Sequence, residues 1–86
     1  MELQKARLMF KLIRKNNWGA KYDRLEHFKS FQELDKIIKE LSGIGWIIVH
    51  KKPKFVGISL DTKYKPQIKE FVEKYMSYLK GTNWIA

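Results

Sequence analysis

Cysteine is absent from all 86 residues. Disulfides, thiol nucleophiles and cysteine-bound zinc or iron–sulfur centres are therefore excluded. Proline is nearly missing, with only Pro53 and Pro66, and the five glycines are scattered, so no linker or low-complexity tract divides the chain. No apolar run nears the roughly 18 residues of a membrane span. The opening residues, Met1 to Lys5, carry no apolar stretch of the secretory type. A soluble, cytoplasmic protein with no membrane partner is expected. Acids are missing from two long stretches, between Glu2 and Asp23 and between Glu40 and Asp61.

What is present argues for a folded domain. Hydrophobic residues make up 44% and aromatics 14%, too much of both for a disordered chain. The length suits one domain over 1–86, with a core small enough that a dimer would add useful buried surface. Eighteen Lys and Arg face nine Asp and Glu, a net charge of +9. The isoelectric point near 9.9 lies in the range of nucleic-acid binders. Charge alone fits two readings, nucleic-acid binding and a lysine-rich solubilising surface.

The apolar pattern divides the chain into elements. Leu3, Ala6, Met9, Phe10 and Ile13 follow helical spacing and predict a helix over 2–16, stopped by Asn16, Asn17 and Gly19. Trp18, Ala20 and Tyr22 fit a brief extended segment. A short helix over 23–28 follows, with Asp23 as N-cap. Leu34, Ile37, Ile38 and Leu41 form one face of a helix over 30–42. Ser30 and Glu33 match a capping box, and Gly43 suits the C-terminal position that favours glycine. Two β-rich runs, 46–51 and 55–60, flank the basic connector His50-Lys51-Lys52-Pro53-Lys54 and predict an antiparallel hairpin. Asp61, Thr62 and Pro66 start a last helix over 64–80, with Ile68, Phe71, Val72, Tyr75 and Leu79 at helical period. The tail ends in Trp84-Ile85, which fits packing on the domain or contact with a second subunit.

This order of helix, short helix, helix, strand, basic loop, strand and helix has a Leu41…Gly45-Trp46-Ile47 junction and an Ile58-Ser59-Leu60-Asp61 exit. It resembles the winged helix-turn-helix family, a compact form shared by small archaeal and archaeal-virus regulators and by multiple-antibiotic-resistance-type and arsenic-repressor-type bacterial regulators. The resemblance covers nearly the whole chain and is architectural. It implies an α+β fold of three helices, a two- or three-stranded β-hairpin wing and a C-terminal helix. It also implies binding of double-stranded DNA, with the third helix in the major groove and the wing on the flanking backbone or minor groove, often by a homodimer on a palindromic site. One departure is that the third helix carries Glu33, Asp35 and Glu40 beside Lys36 and Lys39.

On that helix the side opposite the apolar stripe holds Gln32, Lys36 and Lys39, which suit base edges or phosphate. Ser30 would reach a phosphate at the helix start. In the wing, Lys51, Lys52 and Lys54 are expected on phosphates, with His50 as a weak, pH-dependent cation. The same lysines fit a second role, keeping a small sheet from pairing with neighbours. Lys21, Arg24 and Lys29 are expected near the backbone, as the resemblance implies. Trp46, Phe55, Phe28 and Phe31 fit base stacking in principle, but their positions favour the core. Met76, Tyr78, Trp84 and Ile85 are candidate dimer contacts.

His27 and His50 stand far apart with no clustered carboxylates, so no metal site is expected. Gly43-Ile44-Gly45 is too short for a phosphate loop, and no nucleophile–base set stands out. No enzyme activity, cofactor or small-molecule ligand is expected. The leading expectation is a sequence-specific transcriptional regulator. Alternatives are a protein-interaction winged helix within a larger assembly, an RNA-binding or ribosome-associated domain, and a non-specific chromatin-type protein.

Overall fold

Helix α1 spans Glu2–Arg14 in the computed structural model, which describes residues 1–85. Its buried residues are Ala6, Leu8, Met9, Leu12 and Ile13. The buried face is thus broader than the expected stripe: Leu8 and Leu12 join it because α1 packs on a second helix, a third helix and the sheet together. Leu3 stays exposed. The helix stops two residues before the expected 16. Asn16 takes a left-handed φ of 57°, its N–H bonds the Ile13 carbonyl, and the Asn17 N–H bonds the Leu12 carbonyl. This double closure satisfies orphan carbonyls at the helix end, and asparagine tolerates the backbone shape it needs.

The segment expected as a short helix over 23–28 is two things. Asp23–Arg24 form strand β1, and Leu25–Phe28 make one 3₁₀ turn. Asp23 is not the N-cap of a helix, because its backbone pairs with a later strand.

Helix α2 spans Leu34–Gly43, not 30–42. The capping box does not form, and Glu33 sits at the helix start with φ 55° and no side-chain cap bond. The reason lies in the core. Phe28 is fully buried, Phe31 packs on it at 6.1 Å, and the Phe31 N–H bonds the Phe28 carbonyl. Burying Phe28 with Phe31 packed half-buried against it bends the chain through 29–33, and that packing overrides the local capping preference. At the other end Gly45, not Gly43, is the left-handed residue, with φ 83°. A side chain there would be strained in φ and would press on the Tyr64 ring.

Strands β2 (Ile47–Lys51) and β3 (Val56–Leu60) form an antiparallel hairpin, one residue shorter at each start than expected. The sheet order is β1-β3-β2, with Asp23 opposite Ile58 and Arg24 opposite Gly57. Ile47, Ile58 and Leu60 enter the core from one face. Asn17–Tyr22 runs as a strap beside and over β3: the Leu60 N–H bonds the Asn17 carbonyl, and the Gly19 N–H bonds the Leu60 carbonyl.

Asp61 caps a 3₁₀ turn, Thr62–Tyr64, by accepting the Lys63 N–H. Helix α3 then spans Lys65–Tyr75, with Pro66 in its first turn. It ends well short of 80, because Met76 leaves helical geometry and a 3₁₀ turn, Ser77–Leu79, follows. The break lets Met76 and Leu79 both enter the core. The architecture among the described residues is α+β, with three α-helices around one face of a three-stranded antiparallel sheet. No helix there is long and apolar enough to cross a membrane.

Candidate nucleic-acid interface

The hairpin tip is short. The Lys52 N–H bonds the Phe55 carbonyl at 2.9 Å, and Lys51 pairs with Val56 as the last rung of the ladder. Lys51, Lys52, Pro53 and Lys54 are all exposed. Pro53 fixes one backbone angle and lacks a ladder donor, which fits the tip. His50 and Lys51 belong to strand β2, so the connector between the strands is Lys52-Pro53-Lys54-Phe55.

His50 is turned away from the tip. Its Nε2–H donates to Ser59 Oγ at 2.9 Å, and Ser59 Oγ–H donates to the Gly19 carbonyl at 2.7 Å. The serine is fully buried, so its hydroxyl proton goes to the one acceptor that needs it. The Tyr22 ring stacks on His50 at 4.8 Å and lies 5.9 Å from Phe55. Two cations finish this cluster: Lys52 Nζ sits 5.4 Å from the Tyr22 ring centre, and Arg24 sits 4.3 Å from that of Phe55. His50 is therefore a strut under the strap, held by Ser59 and stacked on Tyr22.

Exposed Lys36 and Lys39 lie opposite the buried Ile37, Ile38 and Leu41 of α2. They line a surface depression of about 550 Å³ with Lys5, Glu40, Gly43 and Ile44. Lys5 donates to Glu40 at 2.7 Å and pairs with Glu2 at 3.1 Å. The Glu40 hydrogen bond is the main reason the Lys5 ammonium titrates above its ordinary value, and the same bond holds Glu40 below its own. Glu40 is thus occupied by α1. Ser30 and Gln32 are exposed but stand in the loop before α2, off the helix that was expected to carry them.

Lys21, Arg24 and Lys29 are exposed. Arg24 also pairs with Glu26 at 3.3 Å. A cavity of about 390 Å³ brings three elements together: Leu25, Glu26 and Lys29 from the 3₁₀ turn and its end, Leu34 from the first turn of α2, and Lys54, Phe55 and Val56 from the hairpin. Its walls are mostly apolar, and Lys29 and Lys54 stand on its rim.

The expected subunit contacts are largely turned inward. Met76 is only 6% exposed and offers no surface to a second chain. Trp84 packs on Phe10 at 5.7 Å and donates its indole N–H to Glu73 at 2.8 Å. Ile85 packs on the core. The tail closes over α1 and α3 of its own chain, with Trp84 and Ile85 half-buried and Tyr78 70% exposed.

Sequence reasoning missed the Tyr22–His50–Phe55 cluster and the Asp23 node. Asp23 accepts from Lys15 Nζ at 2.6 Å, His27 Nδ1 at 2.6 Å and the Arg24 N–H at 2.9 Å. Burial pushes its carboxyl up, but these three donors outweigh burial and hold it below its ordinary value. A signal for the strap was present: Gly57 and Ser59, small residues alternating with Val56, Ile58 and Leu60, leave room over one face of β3. Among the described residues, no group of three or more His, Cys, Asp or Glu is arranged to hold a metal ion. Comparisons with protein-family models, curated proteins and solved structures find no match to this chain.

Proposed function

We propose that this protein is a winged helix-turn-helix module that binds double-stranded DNA as a transcriptional regulator. The exposed side of α2, with Lys36 and Lys39, enters the major groove. The β2–β3 hairpin, with Lys51, Lys52 and Lys54, grips the flanking backbone or minor groove. Lys21, Arg24 and Lys29 lie along the phosphates, and Ser30 and Gln32 act from the loop leading into α2. It is a binding module and not an enzyme. The β1-β3-β2 sheet order, with a helix feeding directly into the hairpin, fits this reading.

The observation that carries it is the cavity shared by Lys29, Leu34 and Lys54. The turn before α2, the first turn of α2 and the hairpin tip meet there, so a duplex touching one would be within reach of the others. Phosphates would be gripped by lysines, which neutralise charge and release counterions but read no sequence. Sequence would be read by the α2 side, where Lys36 and Lys39 suit guanine O6 and N7. Glu40 lies in the same depression as Lys36 and Lys39, where its charge is paired with Lys5.

Selection from randomised duplex DNA tests the proposal. The purified chain is expected to enrich one motif, bound at least about 10³-fold more tightly than random duplex. Lys36→Ala and Lys39→Ala are expected to change the enriched motif, with discrimination weakened by about 1–3 kcal/mol for each base that is no longer read. Enrichment of no motif removes the regulator reading. An identical motif for both variants removes the α2 assignment.

A further inference from the structure

The outward side of α2 ends in the depression lined by Lys5, Lys36, Lys39, Glu40, Gly43 and Ile44. Lys36, Lys39, Glu40 and Gly43 follow one another at helical neighbour spacing, which sets them in one row along the helix. The two residues at the end of that row do little for the fold. Ile44 is 54% exposed and lies outside the core. An isolated apolar side chain on a surface needs no explanation. This one stands in a hollow ringed by lysines, beside a glycine.

That glycine is the second feature. Gly43 is the last residue of α2 and its φ is not left-handed. A Cβ built on it would meet nothing within 4 Å. The sharp exit from the helix falls on Gly45 instead. Glycine weakens a helix relative to alanine, so nothing in the fold favours it at position 43. A glycine with no conformational duty suits a place where atoms of another molecule approach the backbone closely.

We propose that Gly43 and Ile44 seat the 5-methyl group of a thymine, which makes Ile44 a specificity-determining residue; the assignment rests on the DNA reading above. Lys36 and Lys39 draw the duplex against α2, and Lys5 pairs with Glu40, the one acid in the hollow. Of the groups that base pairs present in the major groove, the thymine methyl is the apolar one, and the others donate or accept hydrogen bonds. The Ile44 side chain has no polar atom, so its gain comes from covering that methyl. The missing side chain at Gly43 lets the base edge come down to the helix, and Ile44 closes over the methyl from the side. Lysines grip phosphate or read guanine, so this pair of residues adds a base that the cations leave unread.

Deoxyuridine tests this, because it lacks the methyl and keeps every hydrogen-bonding atom of thymine. Each thymine of the motif enriched by the natural chain is replaced in turn, and duplex affinity is measured. At one position the loss of the methyl is expected to weaken binding about fourfold. Ile44→Ala is expected to bind the unmodified motif at least about fourfold more weakly and to be indifferent to deoxyuridine at that position. Gly43→Ala is expected to unfold at the same temperature or higher, since alanine suits a helix better. It is nevertheless expected to bind the motif at least about fivefold more weakly. Stability and binding moving in opposite directions separate a contact residue from a structural one. A motif without thymine, a motif with no methyl-sensitive position, or an Ile44→Ala variant as methyl-sensitive as the natural chain overturns the proposal. So does a Gly43→Ala variant that binds like the natural chain. Failure to enrich any motif removes the DNA reading and this assignment together, whereas an enriched motif indifferent to the methyl removes this assignment alone.

Discussion

Three donors from separate parts of the chain converge on Asp23. Lys15 from the end of α1, His27 from the 3₁₀ turn and the Arg24 N–H all donate to its carboxylate, whose side chain is 11% exposed. Removing the charge while keeping the shape, by Asp23→Asn, leaves a lysine and a histidine facing a weaker acceptor. A loss of about 1–3 kcal/mol is expected at neutral pH. The dependence on pH follows from the direction of the shift. The folded carboxyl holds its proton less tightly than the unfolded one, so between the two values the unfolded chain binds more protons and stability rises with pH. The contribution of Asp23 is complete above the ordinary aspartate value of 3.8 and disappears as pH falls through the lower folded value. Urea denaturation at several pH values is expected to show natural and D23N chains converging at the acid end. A constant gap at all pH values contradicts the assignment.

At the level of elements, the strap and the hairpin support each other. Tyr22 lies directly over Gly57, and a Cβ at that glycine would overlap the ring. Gly57→Ala is therefore expected to destabilise the protein by about 1–3 kcal/mol through overpacking. In a Tyr22→Ala background the same change is expected to be nearly neutral, because the obstacle has gone. Equal losses in both backgrounds, read by thermal unfolding, contradict the account. These elements also show what the sequence discloses. The stripe Leu34, Ile37, Ile38, Leu41 and the alternation Val56, Ile58, Leu60 report burial directly, and they locate α2 and the hairpin within a few residues. β1 cannot be read that way. It is two residues long and exists only through pairing with Ile58 and Gly57, more than thirty positions away. The start of α2 misleads for a related reason: Ser30 and Glu33 spell a cap, but burial of Phe28, with Phe31 packed on it, decides the backbone and leaves Glu33 left-handed. The lysines of the hairpin tip are legible as an exposed group because Pro53 and the flanking β-rich runs leave them nowhere else to go. The strut role of His50 is not, since it depends on Gly19 and Ser59 meeting forty residues apart in sequence.

At the scale of the whole molecule, the net charge of +9 is unevenly paired. The hairpin tip presents Lys51, Lys52 and Lys54 to solvent with no carboxylate in that loop, while α1 and α2 share their charges through Lys5 and Glu40. On the proposed reading, the hairpin side meets phosphate, and a homodimer would present two hairpins and two α2 helices to one duplex. A symmetric duplex motif would then be the natural target, because protein symmetry is mirrored in the site. The central claim is that the hairpin lysines and α2 engage one double helix together. Its most direct measurement is duplex affinity as a function of salt, for the natural chain and for the variant with Lys51, Lys52 and Lys54 all changed to Gln. Each phosphate left without its lysine takes close to one unit from the slope of log affinity against log salt. The variant is therefore expected to bind every duplex more weakly, with a slope flatter by up to about 3 units. A slope unchanged by the triple substitution would contradict the account.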